Sequence, residues 1–254
     1  MYSKYVPASL MCLAVLLTCQ TLLAASCLVD PDSKNTRIKP DGKMVESLPT
    51  SKKFSDCSRL ELVSGMIHVL YETPDGLKRQ TCKEAGQICP VTTGTWPSWL
   101  DSFKPQSRPG GKKMDEEFSR LPGIPHGKVF SGERAATLNL GKAGFTHWNL
   151  TLMEAGGKRP LYQKSGSDPV IQVPSNLLRP GGKYILLIDG SNKKYKGGFD
   201  ILGGTEAEDI AGQIRQASKD TNVTARGRKL DELIILYENN LDYEVELLRD
   251  ELQL

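Results

Sequence analysis

The chain is poor in the residues and spacings from which a compact catalytic signature is built. Its three histidines, His68, His126 and His147, are scattered, there is no G-x-S-x-G elbow, and the cysteines lack the close C-x2-C pairs typical of zinc sites. A Ser/His/Asp triad needs only convergence in space, so a hydrolase acting through His147 and Ser191 stays open as the least favoured reading. Excess charge of one sign is missing too. With 33 basic and 30 acidic residues the chain carries +3, which removes the electrostatic case for binding nucleic acid or an anionic membrane surface. The clusters Lys112-Lys113 and Lys193-Lys194-Tyr195-Lys196 sit beside glycines and read as solvated loops. No cofactor and no metal are expected, and the chain is not expected to be an enzyme.

What stands out among the features present is the amino-terminal segment. Lys4 precedes an apolar stretch from Val6 to Val29 that ends in Ala24-Ala25-Ser26, the plan of a secretory signal. Three outcomes are open: cleavage after Ala25 or Ser26, lipidation of Cys27, or retention of residues 6–29 as a membrane anchor, since about 20 apolar residues cross a bilayer. Ala24-Ala25-Ser26-Cys27 resembles the bacterial lipobox, with Ala24 where leucine is usual. Each outcome places the rest of the chain outside the cytoplasm, in the periplasm or secreted, where thiols pair. Cys12 and Cys19 lie within this segment. Cys82 and Cys89 flank a turn at Ala85-Gly86 and are expected to form one bridge. Cys57 then pairs with Cys27 unless Cys27 is acylated. A metal site from Cys57, Cys82, Cys89 and His68 is the weaker alternative.

The remainder divides into four parts. Residues 27–103 carry short apolar runs, Leu60-Val63 and Met66-Tyr71, joined at Ser64-Gly65 and followed by a Pro74-Asp75-Gly76 turn; they predict a small β-meander domain with a disulfide. The strand, glycine turn and strand of Leu62-Val69 resemble FecR-like periplasmic β-domains over residues of about 30–103. Residues 104–127, with Arg108-Pro109-Gly110-Gly111 and Leu121-Pro122-Gly123-Ile124-Pro125, predict a linker, since proline lacks an amide donor and glycine costs backbone entropy.

Residues 128–204 predict a β-sandwich. Ala136-Leu140 and Trp148-Leu152 alternate apolar and polar, and Tyr184-Ile188 with Phe199-Leu202 predict a final hairpin. Leu178, Pro180, Gly181 and Tyr184 form an L-x-P-G-x-x-Y segment that resembles the tyrosine corner of fibronectin type III and immunoglobulin-like sandwiches, over residues of about 128–203. That resemblance implies a phenol bonded back to the upstream backbone at a crossover between sheets, with Trp148 between the layers. No cysteine follows residue 89, so the inter-sheet bridge of antibody domains is absent.

Residues 205–254 switch to helical spacing and predict a helical hairpin packed on the sandwich. Thr205-Glu206-Ala207-Glu208 reads as a capping box, Asn239-Asn240 as a break and Asp242 as the next cap. Leu236-Leu248 resembles a single tetratricopeptide helix pair, although no repeat is present. The fold expected is therefore mainly β with a C-terminal α-helical segment. The function expected is that of a bacterial envelope protein, a non-enzymatic scaffold or adaptor that binds an envelope protein partner. The alternative is a carbohydrate- or peptidoglycan-binding module in which Trp96 and Trp99 stack on sugar rings.

Overall fold

The computed structural model of the protein describes residues 25–89, 91, 94–97, 120–191, 193–220 and 223–254. The fold is mainly β, with helices gathered at the C-terminal end. In the first domain β1 (Cys27–Pro31), β4 (Lys52–Phe54), β6 (Ile67–Thr73) and β7 (Gly76–Cys82) form a sheet of order β4-β1-β6-β7. A second sheet, β3-β2-β5, is built from β2 (Arg37–Lys39), β3 (Glu46–Ser47) and β5 (Glu61–Ser64). Cys27, Val29, Ile38, Leu62, Ile67 and Val69 share one buried cluster. Two disulfides tie this domain, Cys27–Cys57 and Cys82–Cys89.

Of the three runs expected to form the meander, the two joined at Pro74-Asp75-Gly76 do pair, as the β6–β7 hairpin. The runs joined at Ser64-Gly65 belong to different sheets. The change of sheet falls at Gly65, whose φ is +89° and whose Cβ would sit 2.8 Å from Thr36 Oγ1, so only glycine fits there without strain.

Strand β1 is buried along its whole length because both of its faces are covered. Period-two alternation turns Cys27 and Val29 into the domain core and Leu28 and Asp30 to the far face. There the register sets Leu28 opposite Leu70 and Asp30 opposite His68.

The second domain is a lopsided sandwich. Strands β8 (Gly127–Val129), β10 (Trp148–Glu154), β11 (Pro160–Gly166), β13 (Lys183–Gly190) and β14 (Lys194–Ile201) form a sheet of order β11-β10-β13-β14-β8, opposed by a pair, β9 (Thr137–Asn139) and β12 (Val170–Gln172). Every pairing is antiparallel except β8 with β14. Trp148, Leu150, Leu152, Leu186, Ile188 and Phe199 fill the interior. The linker expected over 104–127 does not reach its far end. Ile124 is fully buried in the sandwich core and Leu121 packs on it, while residues 101–119 lie outside the described residues.

A short helix α1 (Gly132–Ala135) follows β8, and the chain ends in α2 (Gly204–Ser218), α3 (Ala225–Glu238) and α4 (Asp242–Leu252). The capping box at Thr205 does not form; α2 begins at Gly204, with Gly203 at its cap, two residues ahead of the expected one. Helix α3 is instead capped by Thr224, whose Oγ1 accepts the Gly227 amide at 3.1 Å. The break falls at Asn239 and Asn240, the latter at φ +58°, and Asp242 is the first residue of α4 rather than its cap. The helices do not rest on the sandwich alone. Leu230, Leu233, Leu236, Val245 and Leu252 share a cluster with Leu28, Leu70 and Leu77, so they cover the far face of the first domain's sheet.

Candidate functional site

The tyrosine corner stands where the chain enters β13. Tyr184 is buried, stacks on Phe199 with ring centroids 5.4 Å apart, and its hydroxyl oxygen accepts the Arg179 amide at 2.6 Å. Gly181, at φ +74°, donates its amide to the carbonyls of Ile201 and Leu202, while Leu178 is buried beneath the turn. Pro180 and Gly181 turn the chain, and the phenol ties off a backbone donor that the turn would leave unpaired.

The corner fixes the pleat of β13 and thereby what the five-stranded sheet shows to solvent. Tyr184, Leu186 and Ile188 point inward, so Ile185 and Leu187 point outward. Pairing sets Met153 beside Ile185 and Thr151 beside Leu187. Met153, Ile185 and Leu187 are half-buried and belong to none of the three packed apolar clusters. Around them lie Asn149, Gln163, the Lys183–Asp200 ion pair at 2.7 Å and the Lys194–Asp189 pair at 3.2 Å. An apolar strip inside a polar rim is the anatomy of a protein-docking face.

The β11 edge of this sheet is guarded. Strand β11 starts with Pro160, its pairing slips between Leu152 and Met153, and Lys164 lies opposite Leu150 on the core-facing side. A proline, an irregularity and an inward-pointing charge each oppose the addition of another strand.

The aromatic pair expected to hold sugar is only half described. Trp96 packs on the helical cluster, Lys53 Nζ lies 4.1 Å from its ring centroid, and its amide donates to Ser26 Oγ at 2.6 Å. A stacked sugar would have to displace that ammonium. Trp99 lies outside the described residues. His147 and Ser191 do come together, at the end of the sandwich, where the Ser191 amide donates to the His147 carbonyl at 3.2 Å. They line an open cleft of about 550 Å³ with Asn149, Ser165 and Asp189. The contact joins their backbones, and among the described residues no side-chain hydrogen bond links His147 to Ser191; Ser165 Oγ bonds Asn149 Oδ1 at 2.6 Å. Among the described residues no group of three or more His, Cys, Asp or Glu could hold a metal ion.

One partly buried cluster of charges escaped sequence reasoning. Where α3 meets the first domain, Asp30, fully buried, accepts Arg226 Nε at 2.6 Å and Nη2 at 2.5 Å, and also the Ser51 hydroxyl. Arg79 makes a second forked pair with Asp231, at 2.6 and 2.7 Å. Between them His68, buried in β6, meets Thr81 Oγ1 at 3.0 Å, the cap Thr224 Oγ1 at 3.3 Å and Asp32 Oδ1 at 3.7 Å. Burial, reinforced by the Arg79 guanidinium, holds its pKa below the usual histidine value. Every polar group here has a partner, so the cluster works as a clamp between domain and helix. These partners lie up to 196 positions apart, and no local pattern announces them.

No family model matches this chain, and no curated protein matches it significantly.

Proposed function

We propose that this chain is an exported bacterial envelope protein that acts as a non-enzymatic scaffold, binding a protein partner through the outer face of its five-stranded sheet. The observation that carries this reading is the strip of Met153, Ile185 and Leu187 inside a rim of ion pairs, beside an edge closed to strand addition. A scaffold must hold its domains in fixed relation, and the Asp30–Arg226 and Arg79–Asp231 forks serve that end. The two disulfides fit an oxidising, exported environment. Among the described residues no helix is long and apolar enough to cross a membrane. The Cys27 sulfur that lipidation would need is bonded to Cys57, which favours a cleaved signal over a lipid anchor.

We also assign the sandwich to the immunoglobulin-like class. In support stand the Tyr184 corner, the buried Trp148 on a central strand, and an edge strand β8 running parallel to the last strand β14. The FecR-like resemblance loses its support, because the hairpin it was read from is divided between two sheets.

Photo-cross-linking in the native host tests the docking face. With a photoreactive residue at Leu187, a discrete protein adduct that disappears on Ile185→Arg is expected. Absence of an adduct, together with retention on cell-wall polymer abolished by Trp96→Ala and Trp99→Ala, would replace the scaffold with a carbohydrate-binding module.

A further inference from the structure

Helix α4 is fastened to the sandwich by its own carboxyl groups. Glu246 Oε1 accepts the Gly123 amide at 3.0 Å, and Glu244 Oε1 accepts the Phe130 amide at 2.6 Å. Between these points the Tyr243 hydroxyl donates to the Thr137 carbonyl at 3.2 Å, and its ring meets His126 edge-on at 5.9 Å. Two backbone donors of the segment entering and leaving β8 are thus satisfied by one helix.

The two carboxyl groups differ in their second oxygen and in access to cations. Glu246 has the Lys142 ammonium 3.5 Å from Oε1. Glu244 is completely buried, and its Oε2 has no hydrogen-bond partner among the described residues. Burial outweighs the Phe130 amide and the Arg134 charge, both of which favour the ionised form of Glu244, and the cations of the neighbouring elements are bonded to other carboxylates. Arg134 on α1 bonds Glu232 at 3.2 Å, Lys128 on β8 bonds Glu206 at 2.8 Å, and Arg120 bonds Asp242 at 3.0 Å. Lys142 serves Glu246 and Asp250. His126, in the same segment as β8, has its Nδ1 3.0 Å from the Ile124 carbonyl, and its buried Nε2 has no hydrogen-bond partner among the described residues, Glu244 included. Asp242, Tyr243 and Glu246 on α4 itself bring no positive charge. An ionised carboxylate with one bare oxygen is costly in such a place, whereas the neutral acid is tolerated.

We propose that Glu244 is a pH-operated latch, neutral while α4 is seated on the sandwich and ionised when the joint opens. Burial pushes its pKa up to about 7, against the usual 4.5. The seated state therefore binds more protons than the open one between these values. The latch holds fully below the lower value and weakens as pH rises through the upper. Its opening frees the α4 face of Val245, Leu248 and Leu252 from the cluster it shares with Leu28 and Leu70. The latch does not depend on the docking face proposed above, and its test reads a different part of the molecule.

Hydrogen exchange of the full mature protein, corrected for intrinsic rates, reads the joint directly. Between pH 5 and pH 8 the amides of residues 127–130 and 242–252 are expected to lose protection on the order of tenfold to a hundredfold, as linkage over that pKa difference requires, and Glu244→Gln is expected to abolish the change. Equal protection at both pH values, or an unchanged loss in Glu244→Gln, overturns the proposal. Should that variant not fold, a carboxyl-carbon NMR titration of the unaltered protein decides. A Glu244 midpoint near 7 upholds the latch, and one near 4.5 rejects it.

Discussion

Arg226 on α3 grips Asp30 on β1 with two parallel donors, Nε to Oδ2 at 2.6 Å and Nη2 to Oδ1 at 2.5 Å, while its Nη2 also reaches the Leu252 carbonyl at 2.8 Å. One guanidinium therefore ties together the first strand, the start of α3 and the end of α4. Removing it strands a carboxylate that has no access to solvent. Arg226→Ala is expected to cost about 3–5 kcal/mol by urea denaturation, against less than about 0.5 kcal/mol for Lys128→Ala at an exposed pair.

His68 responds to acid. Its folded-state pKa lies below the ordinary 6.5, chiefly through burial, so the unfolded chain binds more protons at mildly acidic pH. Its contribution to stability is fully present above about 6.5 and is lost as the pH falls toward the folded value. Glu244 acts in the opposite sense over an overlapping range, so the comparison must be between the unaltered protein and His68→Gln. The difference in unfolding free energy between the two is expected to shrink from pH 7.5 to pH 5.5, and a constant difference would refute the assignment.

Gly227 should reverse the usual helix preference. Alanine in place of glycine in a helix interior normally stabilises by about 1 kcal/mol. Here the added Cβ would lie 2.6 Å from Val223 Cγ1 and 3.0 Å from His68 Cε1. Gly227→Ala is expected to lower the thermal midpoint rather than raise it.

At the corner, Tyr184→Phe keeps the ring on Phe199 and removes only the acceptor of the Arg179 amide. A loss of about 1–2 kcal/mol is expected from that orphaned donor. Tyr184→Ala, which also empties the ring's site, is expected to cost about 3–5 kcal/mol. Equal losses would mean that the hydroxyl does nothing.

The two disulfides should differ in weight. Cys27 and Cys57 are 30 positions apart, and Cys82 and Cys89 are 7 apart. Loop-closure entropy then assigns about 3.6 and about 2.4 kcal/mol respectively. Paired alanine variants, measured by urea denaturation, are expected to fall in that order.

What could be read from the residues in advance was whatever is written locally. The turn chemistry of Pro180-Gly181 with Tyr184, the alternation of β10 and β13, the Asn239-Asn240 break and the pairing of Cys82 with Cys89 all reside within a few positions. The change of sheet at Gly65 was not legible, because an apolar run, a glycine and an apolar run describe a hairpin equally well; the runs part because β5 pairs with β2 and β6 with β1, both far back in the chain. The covering of the first domain by the C-terminal helices was hidden for the same reason. Leu28 and Asp30 look like any apolar and acidic pair until Arg226 closes over them, and Trp96 reads as a platform until Lys53 lies on it.

Strand β1 thus owes its outer lining to residues some two hundred positions away. Without α3 and α4, Asp30 has no guanidinium and Leu28 no oily cover on its far side. The amino-terminal sheet and the helices are therefore one cooperative unit, and neither reaches its final state by itself.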